Sequence, residues 1–181
     1  RSVGATPAWG DPGRQPPSCG GERVTATVAG VVPGTDDRST VLDLAGRADD
    51  AGLDQVWIGE NWGDSAVPTL TQAIERTTEI DVCAGVLNVY SRTPGLVAMT
   101  ASTLSTIGDG RFRLGLGVSS PALVEGFHGR SFADPLRRTR EFIEVLRAFL
   151  AGDSVTYDGE HFDLDGYALR TDTPVDCPVY T

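Results

Sequence analysis

The chain has no lysine. All 15 of its basic residues are arginine, set against 25 acids in which Asp outnumbers Glu, for a formal net charge of −10. Nucleic-acid surfaces rest on clustered Lys and Arg that neutralise phosphates, so this balance argues against such a partner, and equally against an anionic membrane surface. An acid-rich, lysine-free surface suits a high-salt interior, where screening removes much of the repulsion between like charges. GC-rich codon usage explains it equally well. Cysteine is scarce: Cys19, Cys83 and Cys177 form an odd count without CxxC spacing. That excludes a disulfide framework and a zinc knuckle and fits a reducing compartment, so the protein is expected to be cytoplasmic. Histidine is scarcer, and neither His128 nor His161 stands at ligand spacing from another His, Cys or acid pair, so no metal is expected. No apolar run reaches the roughly 18 residues of a membrane span, and nothing near the start reads as a signal peptide. A Gly-x-Ser-x-Gly elbow, an HExxH helix and a Walker lysine are also missing, which removes the hydrolase and phosphoryl-transfer templates.

What is present alternates. Residues 1–22 are rich in Pro and Gly with almost no periodic apolar residues, and are expected to be a disordered tail. From Arg23 onward four strand-then-helix units follow. The first strand falls in Val24 to Val32, and its helix is capped by Asp37 or Ser39, carries an inner stripe of Val41, Leu44, Ala45 and Ala48, and stops at Gly52. Val56-Trp57-Ile58 forms the second strand, ending in Gly59-Glu60-Asn61-Trp62-Gly63, before a helix with Leu70, Ala73 and Ile74 inside. The third strand, around Val82 to Leu87, leads to Thr93 as N-cap with Pro94 at the first helical position, where a missing N–H costs nothing. Arg111 to Leu116 is the fourth strand. The spacing of Phe142, Val145, Leu146, Phe149 and Leu150 predicts one buried stripe on a helix from Asp134-Pro135 to Leu150, with Arg140/Glu144 and Glu144/Arg147 placed for surface ion pairs. Ser154 to Tyr157 and His161 to Leu164 flank Asp158-Gly159-Glu160 as a short hairpin or excursion, and Pro178-Val179-Tyr180 starts a fifth strand.

Successive strand–helix units demand a parallel sheet, since each helix is the crossover that returns the chain to the same edge. In such folds ligands meet the carboxyl ends of the strands. Two corners at that edge carry chemistry. Asn88-Val89-Tyr90-Ser91-Arg92 follows one strand, and Gly115-Leu116-Gly117-Val118-Ser119-Ser120 ends the next. The second resembles a dinucleotide fingerprint but has Ser120 where the third glycine belongs, so its glycines read first as a tight strand end. The N–H groups of Val118, Ser119 and Ser120 open a helical turn at Pro121 and suit an anion such as phosphate. Glu60, beside Asn61 and Trp62, puts an acid at the rim, where it serves either in proton transfer or as a plain solvated carboxylate. Asn88 and Tyr90 share that ambiguity.

Three stretches carry a resemblance: GVLNVYSRTP, STLSTIGDGRFRLGLGVSSPALVEGFHG and DPLRRTREFIEVLRAFLAGDSVTYDGEHFDL. Together they resemble the luciferase-like flavin and deazaflavin oxidoreductases, nearest the members that use coenzyme F420, including the methylene-tetrahydromethanopterin reductase group. The resemblance covers roughly Val24 to Thr181 and implies an α/β fold of the (β/α)8 TIM-barrel type. The chain would hold about the first four βα units and the start of strand five, residues 23–181 being the N-terminal half of the barrel. The same resemblance implies a hydride passed between coenzyme F420 and a small organic substrate; an FMN-dependent monooxygenase and a non-catalytic fragment are the alternatives. Carried over by position, Glu60 and Asn61 fall at the reacting corner. Glu60, Gly85, Val86, Asn88, Gly117, Val118, Ser119 and Ser120 fall on the cofactor, with a non-proline cis peptide joining Gly85 to Val86. Where many relatives keep a histidine after the strand-two acid this chain has Asn61, and where they often keep an acid after strand four it has Ser120. An amide orients a substrate but does not deliver a proton.

At 181 residues the chain is long enough for one core, yet an eight-unit barrel takes roughly 250 residues. It opens on Arg1 and closes in what reads as mid-strand, so a longer parent is expected. A homo-oligomer is expected of that full-length form, with a small-molecule substrate as its partner.

Overall fold

The computed structural model describes residues 28–31, 37–172 and 174–181. The tail expected over residues 1–22 lies outside the described residues, as do residues 32–36. The elements are β1 (Val28–Val31), α1 (Arg38–Asp50), β2 (Gln55–Ile58), α2 (Ala66–Arg76), β3 (Asp81–Asn88), α3 (Pro94–Ile107), β4 (Phe112–Gly117), α4 (Pro135–Ala151), β5 (Val155–Asp158), β6 (Asp163–Tyr167) and β7 (Val179–Tyr180). A π-helical turn, Ala122–Phe127, lies between β4 and α4.

Strands β1-β2-β3-β4-β7 form one sheet in chain order, every pair parallel. Consecutive parallel neighbours joined by helices are the repeating unit of a (β/α)8 barrel, and the register confirms the four expected units. The antiparallel pair β5–β6 is the expected hairpin, inserted between α4 and the fifth barrel strand, β7.

Local signals explain most boundaries. Asp37 caps α1, its Oδ1 accepting from the Thr40 N–H at 3.1 Å. Thr93 caps α3 through the Leu96 N–H at 3.2 Å, with Pro94 behind it. Gly152, at φ 91°, ends α4 in the left-handed conformation that glycine adopts freely. All five residues of the anticipated α4 stripe are buried, each large apolar side chain contributing about 1.5–3 kcal/mol relative to exposure.

Two details differ from the sequence reading. In α1 the inner position is taken by Leu42, while Leu44 is 39% exposed. In α4 Glu144 accepts from the Tyr157 hydroxyl at 2.7 Å, and the helical ion pair is Arg137–Glu141 instead. The buried Glu141 explains that preference: its carboxylate also accepts from the N–H groups of Glu160 and His161, pinning the hairpin turn to the helix. Burial draws its pKa upward, but these N–H donors outweigh it and hold the carboxyl below its ordinary value.

Strand alternation sorts side chains between two layers. Val56, Ile58, Val82, Ala84, Phe112 and Leu114 belong to the fully buried hydrophobic core. On the opposite face of the sheet Trp57 meets Tyr180 edge-on at 5.3 Å and donates to Gln55 at 3.2 Å, and Arg113 pairs with Asp81 at 3.0 Å. Cys83 and Cys177 are buried free thiols, pushed by that burial up to about 12 and about 11 respectively.

Candidate active site

The carboxyl ends of β2, β3 and β4 converge on a cavity of about 290 Å3. Its walls are Gly59, Glu60 and Asn61 after β2, Gly85, Val86 and Asn88 from β3, and Gly117, Ser119, Leu123 and His128 from β4 onward. Glycine recurs in its lining, at 59, 85 and 117, and at the last two the reason can be read in the strands. The pairing of β3 with β4 shifts register between Ala84 and Leu87, and the Gly85–Val86 peptide within that interval is cis, at the bond the resemblance implied. The irregular segment presses on β4 so closely that a Cβ on Gly115 would lie 2.2 Å from the Ala84 carbonyl oxygen. One on Gly117 would lie 2.5 Å from the Val86 side chain, and one on Gly85 would lie 3.1 Å from Trp57. Glycine at 115 is therefore a packing requirement, while a side chain at 117 or 85 would have to displace Val86 or Trp57. Val86 itself is left 40% exposed in the cavity wall.

Glu60 is neither of the two carboxylates the sequence allowed. It accepts two hydrogen bonds from Arg92, one of them at 2.7 Å, and a third from the Ala66 N–H at 2.9 Å, so it also caps α2. Burial pulls its pKa upward, but the Arg92 hydrogen bonds and charge and the Ala66 N–H outweigh that and hold it below its ordinary value. Glu60 is an anion locked in place. Arg92 is the partner of Glu60 that sequence reasoning missed: it lay within a quoted corner, but the two are 32 positions apart.

Asn88 turns its Oδ1 to the Tyr90 N–H at 2.8 Å, an Asx turn that shapes the β3–α3 loop. Tyr90 is buried and structural: its hydroxyl donates to the Ala133 carbonyl at 2.9 Å, its ring stacks on Phe132, and Arg138 lies over it at 4.8 Å. Val118 and Ser120 do not line the cavity. Val118, the residue after β4, lies instead in a groove with Leu136 and Ile143. Ser120 turns its hydroxyl toward the Leu123 N–H at 3.4 Å, at the start of the π-helical turn. Ser119, at φ 62°, does reach the cavity.

A second cavity of about 380 Å3 adjoins the first, with Asp64, Ser65, Ser91, Arg92, Leu96 and Phe127 in its walls. Glu60, Asn61 and His128 line both. The chain contains only two asparagines and two histidines, and both asparagines and one histidine meet here. His161 is elsewhere, its Nε2 buried 3.9 Å from Asp134. Among the described residues no three His, Cys, Asp or Glu side chains group closely enough to hold a metal, and no helix is long and apolar enough to cross a membrane.

The arrangement suits a planar, uncharged ring better than a free anion. Glycines in the lining, one apolar wall at Val86 and amides at the rim offer flat contact with a few directed hydrogen bonds, while the one arginine nearby is already paired with Glu60.

Known proteins resemble the chain in sequence and fold. Residues 18–181 match the family model described as luciferase-like monooxygenase. A Mycobacterium tuberculosis protein assigned as a coenzyme F420-dependent oxidoreductase is 42% identical over 123 residues, covering 67% of this chain and 35% of its own length. The 4-hydroxyprotoasukamycin monooxygenase of Streptomyces nodosus subsp. asukaensis is 36% identical over 136 residues, covering 71% of this chain and 37% of its own. The structure of coenzyme F420-dependent tetrahydromethanopterin reductase from Methanopyrus kandleri shares the fold at a TM-score of 0.76 and 24% identity, over 86% of this chain and 49% of that one. The chain thus spans less than half the length of the curated relatives it matches and about half that of the solved structures. Fold, motif order and the family match agree: the chain belongs to the luciferase-like monooxygenase family.

Proposed function

We propose that the protein is, or forms part of, an oxidoreductase that uses coenzyme F420, with the cavity at the carboxyl edge as the seat of the deazaflavin ring. The observation that supports this most is convergence. Seven residues singled out by resemblance, Glu60, Asn61, Gly85, Val86, Asn88, Gly117 and Ser119, come from three different strand ends and line one cavity of about 290 Å3. Gly85, Val86 and Gly117 would form the face on which the ring lies, and Ser119 and Asn88 the polar edge. The Asn88 amide nitrogen is the donor left once its oxygen holds the loop. Bound there, the coenzyme would supply a ring carbon that gains or gives up a hydride. The Glu60–Arg92 pair would fix the β2 and β3 loops against each other, so that Asn61 and Asn88 keep their places. Val118 and Ser120 are omitted from this contact set.

The substrate is a small organic molecule that exchanges a hydride, admitted through the adjoining cavity beside Phe127 and Leu96. FMN shares the ring shape and differs mainly at one ring atom, and monooxygenases occur among the relatives. Titrating the chain with coenzyme F420 and with FMN, followed by fluorescence, separates the two. The reading expects saturable binding of the deazaflavin with at least a tenfold preference over FMN. Tight FMN binding without response to the deazaflavin would overturn it.

A further inference from the structure

Removing a hydride from an alcohol carbon leaves a hydroxyl proton to be placed, and delivering one to a carbonyl carbon leaves an oxygen to be protonated. The F420 reading, on which this inference rests, still lacks the group that does so.

The two cavities narrow the choice. A molecule lying across the ring seat and reaching into the adjoining space passes the residues common to both, which are Glu60, Asn61 and His128. Asn61 is an amide and exchanges no proton at useful cost. Glu60 is held as an anion by Arg92 and the Ala66 N–H, and protonating it would break those bonds. Imidazole is the side-chain type that gains and loses a proton between pH 5 and 8. The chain sets His128 there with care: the π-helical turn closes with the His128 N–H on the Leu123 carbonyl at 3.0 Å, a five-residue step, and Phe127 meets the imidazole edge-on at 5.0 Å. Turns of this wider kind recur at functional sites.

We propose that His128 is the catalytic proton-exchanging residue. In oxidation of an alcohol the C–H bond breaks with its electron pair passing to the deazaflavin carbon. The O–H bond breaks with its proton passing to a ring nitrogen of His128, and the carbonyl forms. Reduction runs the same steps backward, with the imidazolium returning the proton to oxygen. The charged groups sharing these cavities are Glu60, Asp64 and Arg92, and the segment carrying His128 also holds Glu125 and Arg130.

Having two histidines makes the test direct. Imidazole proton–carbon spectra of the chain, with the His161→Gln variant used for assignment, are followed against pH alone, with oxidised coenzyme F420 and with the reduced coenzyme, which carries an added hydride. The expected result is that coenzyme binding shifts the His128 imidazole resonances, differently for the reduced and the oxidised form, while those of His161 stay unmoved. A His128 signal indifferent to both forms of a coenzyme that does bind would overturn this inference alone. Failure of either form to bind would overturn the F420 reading and this inference with it.

Discussion

The two edges of the parallel sheet are built from similar residues put to opposite uses. At the amino edge two strong polar groups, Asp49 and Arg111, are spent mainly on backbone. Asp49 accepts from the N–H groups of Thr78, Glu79 and Ile80 at 2.7, 3.0 and 2.8 Å. Arg111 donates to the carbonyls of Ile74, Thr77 and Ile80 and to the Thr77 hydroxyl, all within 3.2 Å, closing the end of α2 against the start of β4. At the carboxyl edge the corresponding pair, Glu60 and Arg92, is spent on each other and on one N–H, and beside it the loops stand apart around two cavities. The lesson is that charge alone does not mark a site. What distinguishes the carboxyl edge is polar side chains held in place next to unfilled space.

Substitutions sharpen that contrast. The largest effect is expected at Gly115, where any side chain meets the Ala84 carbonyl at 2.2 Å and backbone must move. Gly115→Ala should cost about 3 kcal/mol or more and should erase coenzyme binding, measured by urea unfolding and fluorescence titration. Arg111→Ala should come next: stranding several carbonyls at the amino edge should cost about 2–3 kcal/mol in urea unfolding, with coenzyme affinity unchanged in the folded fraction. An equal loss of affinity would break the division between the edges.

Acid offers a milder probe of both. Burial pulls Asp49 and Glu60 upward, but their hydrogen bonds prevail and hold both below their ordinary values of 3.8 and 4.5. Carboxyls depressed by folding contribute stability that is fully present above the unfolded values and is lost as pH falls through the folded ones. Unfolding free energy should therefore be level from pH 7 to about 5 and decline below about 4.5, less steeply in Glu60→Gln. A decline already under way at pH 6 would contradict the assignment. The smallest effect belongs to Gly46, in the middle of α1 with nothing within 4 Å of an added Cβ. Gly46→Ala should stabilise the chain by about 0.5–1 kcal/mol in the same urea assay and leave both edges alone.

The sequence exposed the architecture well because its signals were local. Thr93-Pro94, the Phe142-to-Leu150 stripe and Asp158-Gly159-Glu160 each carry their structure within a few residues, and the parallel order follows from repetition. Legibility failed where the decision was tertiary. Val41, Leu42, Leu44 and Ala45 offer two overlapping stripes, and packing chose the one with Leu42. Arg92 could not be matched to Glu60 across 32 positions. Val118 and Ser120 shared a glycine-rich corner with Gly117, yet Val118 lies in the groove beside α4 and the Ser120 hydroxyl turns to the Leu123 N–H. His128 was visible only as a histidine without a metal partner, since its place at the junction depends on the π-helical turn that precedes it.

Hydrogen exchange of the chain with and without coenzyme F420 tests the division of edges most directly. The account predicts slowed exchange at residues 59–61, 85–89 and 117–128, with residues 77–81 and 108–111 unchanged. Protection that appears at the second group, or is spread evenly over both, would contradict it.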